Sequence, residues 1–203
     1  MGFVTNAKRD FQTITWALIP AAIALNIVIG QLVAMLKLPV YMDCIGTVLV
    51  GVVCGPLAGA LTGAMSNIVW GLFSPNALPF FPVAAWIGFV AGLCAAYGLF
   101  QTWWKVIISG LIIAVTTPFI ATPIVVKIYG GVEGSGASLI TAILIKSGQK
   151  VTSAAFYKNL MIEPLDKIPT ALFAYALLKG FPEKLQSRFP RSRNILAPYR
   201  SHA

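Results

Sequence analysis

The chain reads as an all-α integral membrane protein, a six-helix bundle, on three observations. Hydrophobic residues fill 58% of its 203 positions and charged residues only 10%, against averages of about 45–50% and 25% in soluble domains. Residues 11 to 36, 44 to 104 and 106 to 126 carry no charge at all, and each run is long enough to cross a hydrocarbon core of about 30 Å at about 1.5 Å per residue. The formal net charge of +9 is held mostly near the two ends of the sequence, which argues against a nucleic-acid surface and for juxtamembrane contacts.

Pro, Gly and polar punctuation divides the sequence into spans near 11–36, 42–54, 57–73, 82–101, 105–127 and 160–179, within one membrane domain, followed by a basic tail over 180–203. The first span is of crossing length and runs straight into further apolar sequence, so it is expected to be retained rather than cleaved as a secretory signal. Ala17 and Ala21 form a small-xxx-small pair on it, with Ala24 close by and Pro20 between them; such a face serves packing within the chain or contact with another protein equally well. The second and third spans are short and separated by Gly55-Pro56, because proline cannot continue an internal helical ladder unaided. Asp43 opens the second span as an expected N-terminal cap at the outer surface, with ligand contact as the alternative. Gly55, Gly59 and Gly63 recur every fourth residue beside Ala60 and Ala64, a face expected to pack inside the chain.

The turn Ser74-Pro75-Asn76-Ala77-Leu78-Pro79 precedes the fourth span and is bracketed by Trp70, Phe73, Phe80, Phe81 and Trp86. These rings form an interfacial aromatic belt or, turned inward, stack on a flat ligand, with Asn67, Asn76 and Tyr41 supplying directional hydrogen bonds. Beyond the fifth span, four of the seven residues from 130 to 136 are glycine, a solvated loop or a hinged lid. Residues 137 to 158 are too polar to span and read as one outer-face helix, since Leu139, Ile140, Ile143 and Leu144 recur at helical spacing. Glu163, Asp166 and Lys167 sit three and four residues apart and are expected to pair along one helix face; no nucleophile, base orienter or metal-ligand set surrounds them, so no catalytic residue is assigned.

An even number of spans puts both termini on one side, and Lys8, Arg9 and the basic tail place that side in the cytoplasm. Cys44, Cys54 and Cys94 lie in apolar runs and the single histidine is His202, so no metal or redox site is expected. Neither a P-loop nor a His-Glu-x-x-His motif occurs, which leaves an ion gradient or partner subunits to drive any uphill movement.

The run Leu38-Pro39-Val40-Tyr41-Met42-Asp43-Cys44-Ile45-Gly46-Thr47, followed by Gly55-Pro56-Leu57-Ala58-Gly59-Ala60-Leu61-Thr62-Gly63 and Ser66-Asn67, resembles the substrate-binding S components of energy-coupling factor (ECF) vitamin transporters. Gly134-Ser135-Gly136, Ser147-Gly148-Gln149 and Glu163-Pro164-Leu165-Asp166-Lys167-Ile168-Pro169 are similar to the outer segment and the start of the last span in the subgroup that takes cobalamin or hydroxymethylpyrimidine and pyridoxine-type vitamins. The resemblance implies a six-helix S component in a prokaryotic cell membrane that captures a vitamin outside. A transmembrane coupling (T) subunit and two cytoplasmic ATPase subunits would drive delivery, and the vitamin is the transported ligand rather than a bound cofactor.

It also implies that Ala17 and Ala21, matching the family's AxxxA motif, contact the coupling subunit. Cobalamin is the favoured ligand on the many small side chains, Gly51, Gly55, Gly59, Ala60, Gly63 and Ala64, and on the want of a dense polar set suited to a small ring. Smaller vitamins, or a membrane ligand sensor, are the alternatives. The expected outer pocket takes in Tyr41, Asn67, Trp70, Asn76, Phe80, Phe81, Trp86, Gln149 and Lys158.

Overall fold

A computed structural model describes residues 10–191, so the part of the basic tail beyond residue 191, with Lys8, Arg9 and His202, lies outside the described residues. Among the described residues all regular structure is helical: α1 (Thr13–Met35), α2 (Ile45–Cys54), α3 (Pro56–Gly71), a 3-10 turn (Pro75–Phe80) leading into α4 (Phe81–Ala96), α5 (Trp103–Tyr129), α6 (Ser138–Lys146), α7 (Val151–Gly180) and a short α8 (Glu183–Gln186). Three helical segments, Thr13–Met35, Pro75–Ala96 and Trp103–Tyr129, are long and apolar enough to cross a membrane.

The distribution of side chains is that of a protein solvated by lipid. Trp16, Leu32, Phe73, Trp103, Phe119 and Phe173 are exposed, while Asn26, Thr47, Asn67, Lys158 and Asp166 are buried. In water so much exposed apolar surface would drive association; in hydrocarbon it is the polar groups that must turn inward to find partners.

Every residue of α2 is buried, the fate of a helix that is apolar all round. Its start is fixed halfway along α1. Gly46 N–H donates to Asn26 Oδ1 at 2.7 Å, and Asn26 Nδ2 donates to Thr47 Oγ1 at 2.8 Å and Ser66 Oγ at 2.9 Å. One buried amide thereby joins α1, α2 and α3. The connection from α1 to α2 must return from the end of α1 to its middle, and it does so with Lys37 and Met42 at φ 51° and 49°. Asp43 is carried inward with it, against Gly30 of α1. The expectation that Asp43 caps α2 at the outer surface is therefore corrected: Cys44 is the N-cap, without a side-chain cap bond.

Gly55, at φ +119°, turns the chain from α2 into α3, and α3 packs on α4 through small residues. A Cβ on Gly59 would lie 2.5 Å from the Gly88 carbonyl oxygen, one on Gly51 would meet the same oxygen at 2.5 Å, and one on Gly63 would meet the Ala84 carbonyl. Gly51, Gly59 and Gly63 are thus consumed by backbone contact within the chain. Ala17 and Ala21, by contrast, are exposed, and it is Ala22 that packs, against Gly46.

Two boundaries differ from the sequence expectation. The fourth helix stops at Ala96 because the chain turns at Gly98, φ +75°. The segment expected as one helix over 137 to 158 is broken at Gly148, φ +94°, and its second half is the first part of α7, which starts at Val151 rather than near 160. At the far end of the bundle Arg191 donates to Asp10 Oδ1 from Nε at 3.1 Å and Nη2 at 2.6 Å, and its N–H donates to Val53 O at 3.0 Å. The first and last described residues therefore lie at one end of the molecule.

Close packing of α3 on α4 predicts that Gly59→Leu destabilises the protein by about 1–3 kcal/mol, whereas Ala17→Leu on the exposed face stays within about 0.5 kcal/mol. Thermal unfolding of both variants in detergent measures this; equal melting temperatures would contradict the packing.

Candidate functional site

Toward the end of the bundle away from Asp10 and Arg191 lies a cavity of about 290 Å³. Seven parts of the chain contribute to its wall: the end of α1, the connection before α2, the ends of α3 and α5, the 3-10 turn with the start of α4, the glycine-rich loop after α5, and α7. Of the nine residues expected to form a pocket, Tyr41, Asn67, Trp70, Asn76, Phe80 and Lys158 meet in this wall. Phe81, Trp86 and Gln149 do not. Phe81 is exposed on the outside of α4, Trp86 packs beside Phe89 with ring centroids 6.1 Å apart, and Gln149 is exposed in the break between α6 and α7. Helix periodicity accounts for two of these misses. In α4 it is Val83, Ala84 and Ile87 that face the cavity, so Phe81 and Trp86 are on other faces.

The polar lining is organised around α7. Asn159, Glu163 and Lys167 are spaced four apart and all line the cavity, one continuous helix face. The regular spacing is the sequence signal that would have found them. Lys158, with a fully buried side chain, donates from Nζ to Glu133 Oε1 at 2.6 Å and to Tyr41 Oη at 3.3 Å. Tyr41 Oη in turn donates to the same Glu133 oxygen at 3.2 Å. Glu133 comes from the glycine-rich loop and had no distinguishing mark in the sequence. Asn159 Nδ2 donates to Thr122 Oγ1 at 3.0 Å, tying α7 to α5.

Glu163, Asp166 and Lys167 form the ion-paired group expected from their spacing. Lys167 Nζ lies 3.4 Å from Glu163 Oε2 and also contacts Asp166 Oδ2. The second Asp166 oxygen accepts from the N–H groups of Tyr41 and Met42 at 2.8 and 2.6 Å, so a carboxylate on the last long helix holds the returning connection between α1 and α2 in place. The wall therefore does carry a dense polar set, contrary to the sequence expectation, because its members come from segments more than a hundred residues apart. Among the described residues no group of three or more His, Cys, Asp and Glu is placed to hold a metal ion.

Burial pushes the Glu133 carboxyl up, but the Lys158 ammonium beside it outweighs burial and holds it below its ordinary range. Burial, reinforced by Glu133, pushes Tyr41 well above the usual phenol range, so its hydroxyl keeps the proton it donates. A carboxyl whose folded pKa is depressed adds stability that is full above its unfolded value of about 4.3 and is lost as pH falls through the lower folded value. Thermal unfolding followed from pH 7 down to 3 is expected to show a loss of stability at the acid end that Glu133→Gln lacks; identical pH profiles for the two proteins would refute the pairing.

Compared with family models, with curated proteins and with solved structures, the chain matches none.

Proposed function

We propose that the chain is the substrate-binding S component of an ECF-type transporter, a six-span bundle in a prokaryotic cell membrane with both termini in the cytoplasm. It captures a small vitamin from outside and delivers it inward with a transmembrane coupling subunit and two cytoplasmic ATPase subunits, doing no bond chemistry itself. One observation carries this reading. Of the six segments that resemble the family, four scattered along the sequence, Leu38 to Thr47, Ser66-Asn67, Gly134-Ser135-Gly136 and the Glu163 to Pro169 run, contribute residues to one cavity wall, and Gly55 to Gly63 and Ser147-Gly148-Gln149 do not. A resemblance that merely reflected membrane composition would not gather at a single site.

The size of the cavity favours the smaller vitamins of the subgroup over cobalamin. About 290 Å³ is at the lower edge of the range of about 300–1,000 Å³ in which small ligands are held, and a corrinoid with its nucleotide loop is several times larger. Of the small residues that favoured cobalamin, Gly51, Gly59 and Gly63 are engaged in packing against α4. A hydroxymethylpyrimidine or pyridoxine-type ring, stacked between aromatic walls such as Trp70 and Phe80, suits the volume and the polar set.

The exposed Ala17 and Ala21 give the coupling subunit a surface where helix backbones approach closely. Replacing both by Trp is expected to abolish ATP-dependent vitamin uptake into vesicles carrying the full complex, while the isolated chain binds its ligand within about twofold of wild type. Loss of binding and uptake together would count against this face as the contact.

A further inference from the structure

The charges around the cavity do not cancel. Asp43, Glu133 and Glu163 in the wall, and Asp166 through its contact with Lys167, supply four carboxyl groups, and Lys158 and Lys167 supply two ammonium groups. Both lysines are engaged. Lys158 is held by Glu133 and Tyr41, and Lys167 by Asp166 and Glu163. No lining cation is left over to receive a carboxylate or phosphate on a ligand, and the surplus is negative.

Hydrogen-bond accounting points the same way. Among the described residues, the buried side-chain atoms of the cavity wall that lack a hydrogen-bond partner are Asn67 Oδ1, Glu133 Oε2 and Glu163 Oε2, the last of them held only by its 3.4 Å ion pair with Lys167. All three accept. Asn67 and Glu163 are 4% and 3% exposed, and the Glu133 side chain is 6% exposed, so solvent reaches none of them freely. A buried acceptor left unmade costs about 1–3 kcal/mol, and more when it is charged. Trp70, Phe80 and Tyr41 line the same wall, with Lys167 over the Tyr41 ring and Phe80 stacked on Tyr129, and aromatic rings attract cations. A bare metal ion does not fit, since no three such ligands are placed to hold one.

We infer that the ligand of this cavity bears a cationic, hydrogen-bond-donating nitrogen group, seated against Glu163, Glu133 and Asn67, on a small aromatic ring. The inference rests on the vitamin-binding reading above and narrows it: an amino-substituted or protonated heteroaromatic compound is selected over a neutral hydroxylated or an anionic one. Glu133 and Glu163 are each ion-paired to one lysine already, so such a ligand adds a further charge-assisted bond, about twice as strong as a neutral one.

Calorimetry on the purified full-length chain with matched compounds tests this. Pyridoxamine and pyridoxine share a ring and differ by an aminomethyl against a hydroxymethyl group; thiamin offers an amino-substituted pyrimidine joined to a thiazolium cation that has no N–H of its own, and 4-pyridoxic acid an anion. The cationic compounds are expected to bind at least about tenfold more tightly than the neutral and anionic ones. Glu163→Gln should remove most of that preference, while Glu163→Asp retains it. If Glu163→Gln does not fold, the wild-type comparison decides alone. Equal or tighter binding of pyridoxine or 4-pyridoxic acid overturns the inference and leaves the transport reading intact. Selective cation binding without ATP-dependent uptake by the assembled complex does the reverse. Binding of none of the four overturns both.

Discussion

Charged groups placed inside an apolar bundle must be paired there, because an isolated charge in hydrocarbon costs at least about 2.5 kcal/mol and is not relieved by water. Much of the architecture around the cavity follows from this constraint. Lys158, Asp166 and Lys167 are almost fully buried, and each finds its partner on another segment or on its own helix face. Asp166 holds the connection before α2 through two N–H groups, and Lys158 draws in the glycine-rich loop through Glu133. Two irregular segments are thereby fixed at the mouth of the bundle by one helix. Irregular backbone at membrane depth is tolerated where it is buried in protein or lines a cavity, and both conditions hold here.

The apolar part of the fold obeys a different rule. Between helices in lipid there is no hydrophobic driving force, so close approach and dispersion must supply the adhesion. The contact of Gly51 and Gly59 with Gly88, and of Gly63 with Ala84, brings three helices to backbone distance around the wholly buried α2. A side chain of any size at these positions would separate α3 from α4, and the cavity wall they share would move with them.

These two rules explain what could be read from the sequence. Helix positions followed from hydropathy and punctuation, and each of the six expected segments overlaps a helix, because charge-free runs and proline breaks are local signals. The pairing of Glu163, Asp166 and Lys167 was equally local. What escaped was long-range or depended on backbone turns. Glu133 sits in a loop of glycines with nothing to mark it, and its partner Lys158 is 25 residues further on. Asp43 looked like a cap because a helix begins beside it; the left-handed turn at Met42 and the anchorage to Asp166 carry it inward instead. Phe81, Trp86 and Gln149 shared the composition of a site but not its face.

The α1 helix connects the two ends of the molecule on which the proposed transport depends. Its first half presents Ala17 and Ala21 outward, its middle holds α2 and α3 through Asn26, and its end contributes Ala34 to the cavity wall. Pro20 lies inside it, between the exposed alanines. A helix transmits displacement along its axis with little loss, so a partner that shifts the first half of α1 bears on Asn26. Through Asn26 it bears on Gly46, three residues after Asp43, and on Ser66, next to Asn67. On the proposed reading, ligand and coupling subunit would act on one helix from opposite ends, and a difference in its position between loaded and empty protein would affect both. By reciprocity of binding free energies, a ligand that completes the charge pairing at the cavity changes the affinity of the alanine face for its partner by the same factor that the partner changes the affinity for the ligand.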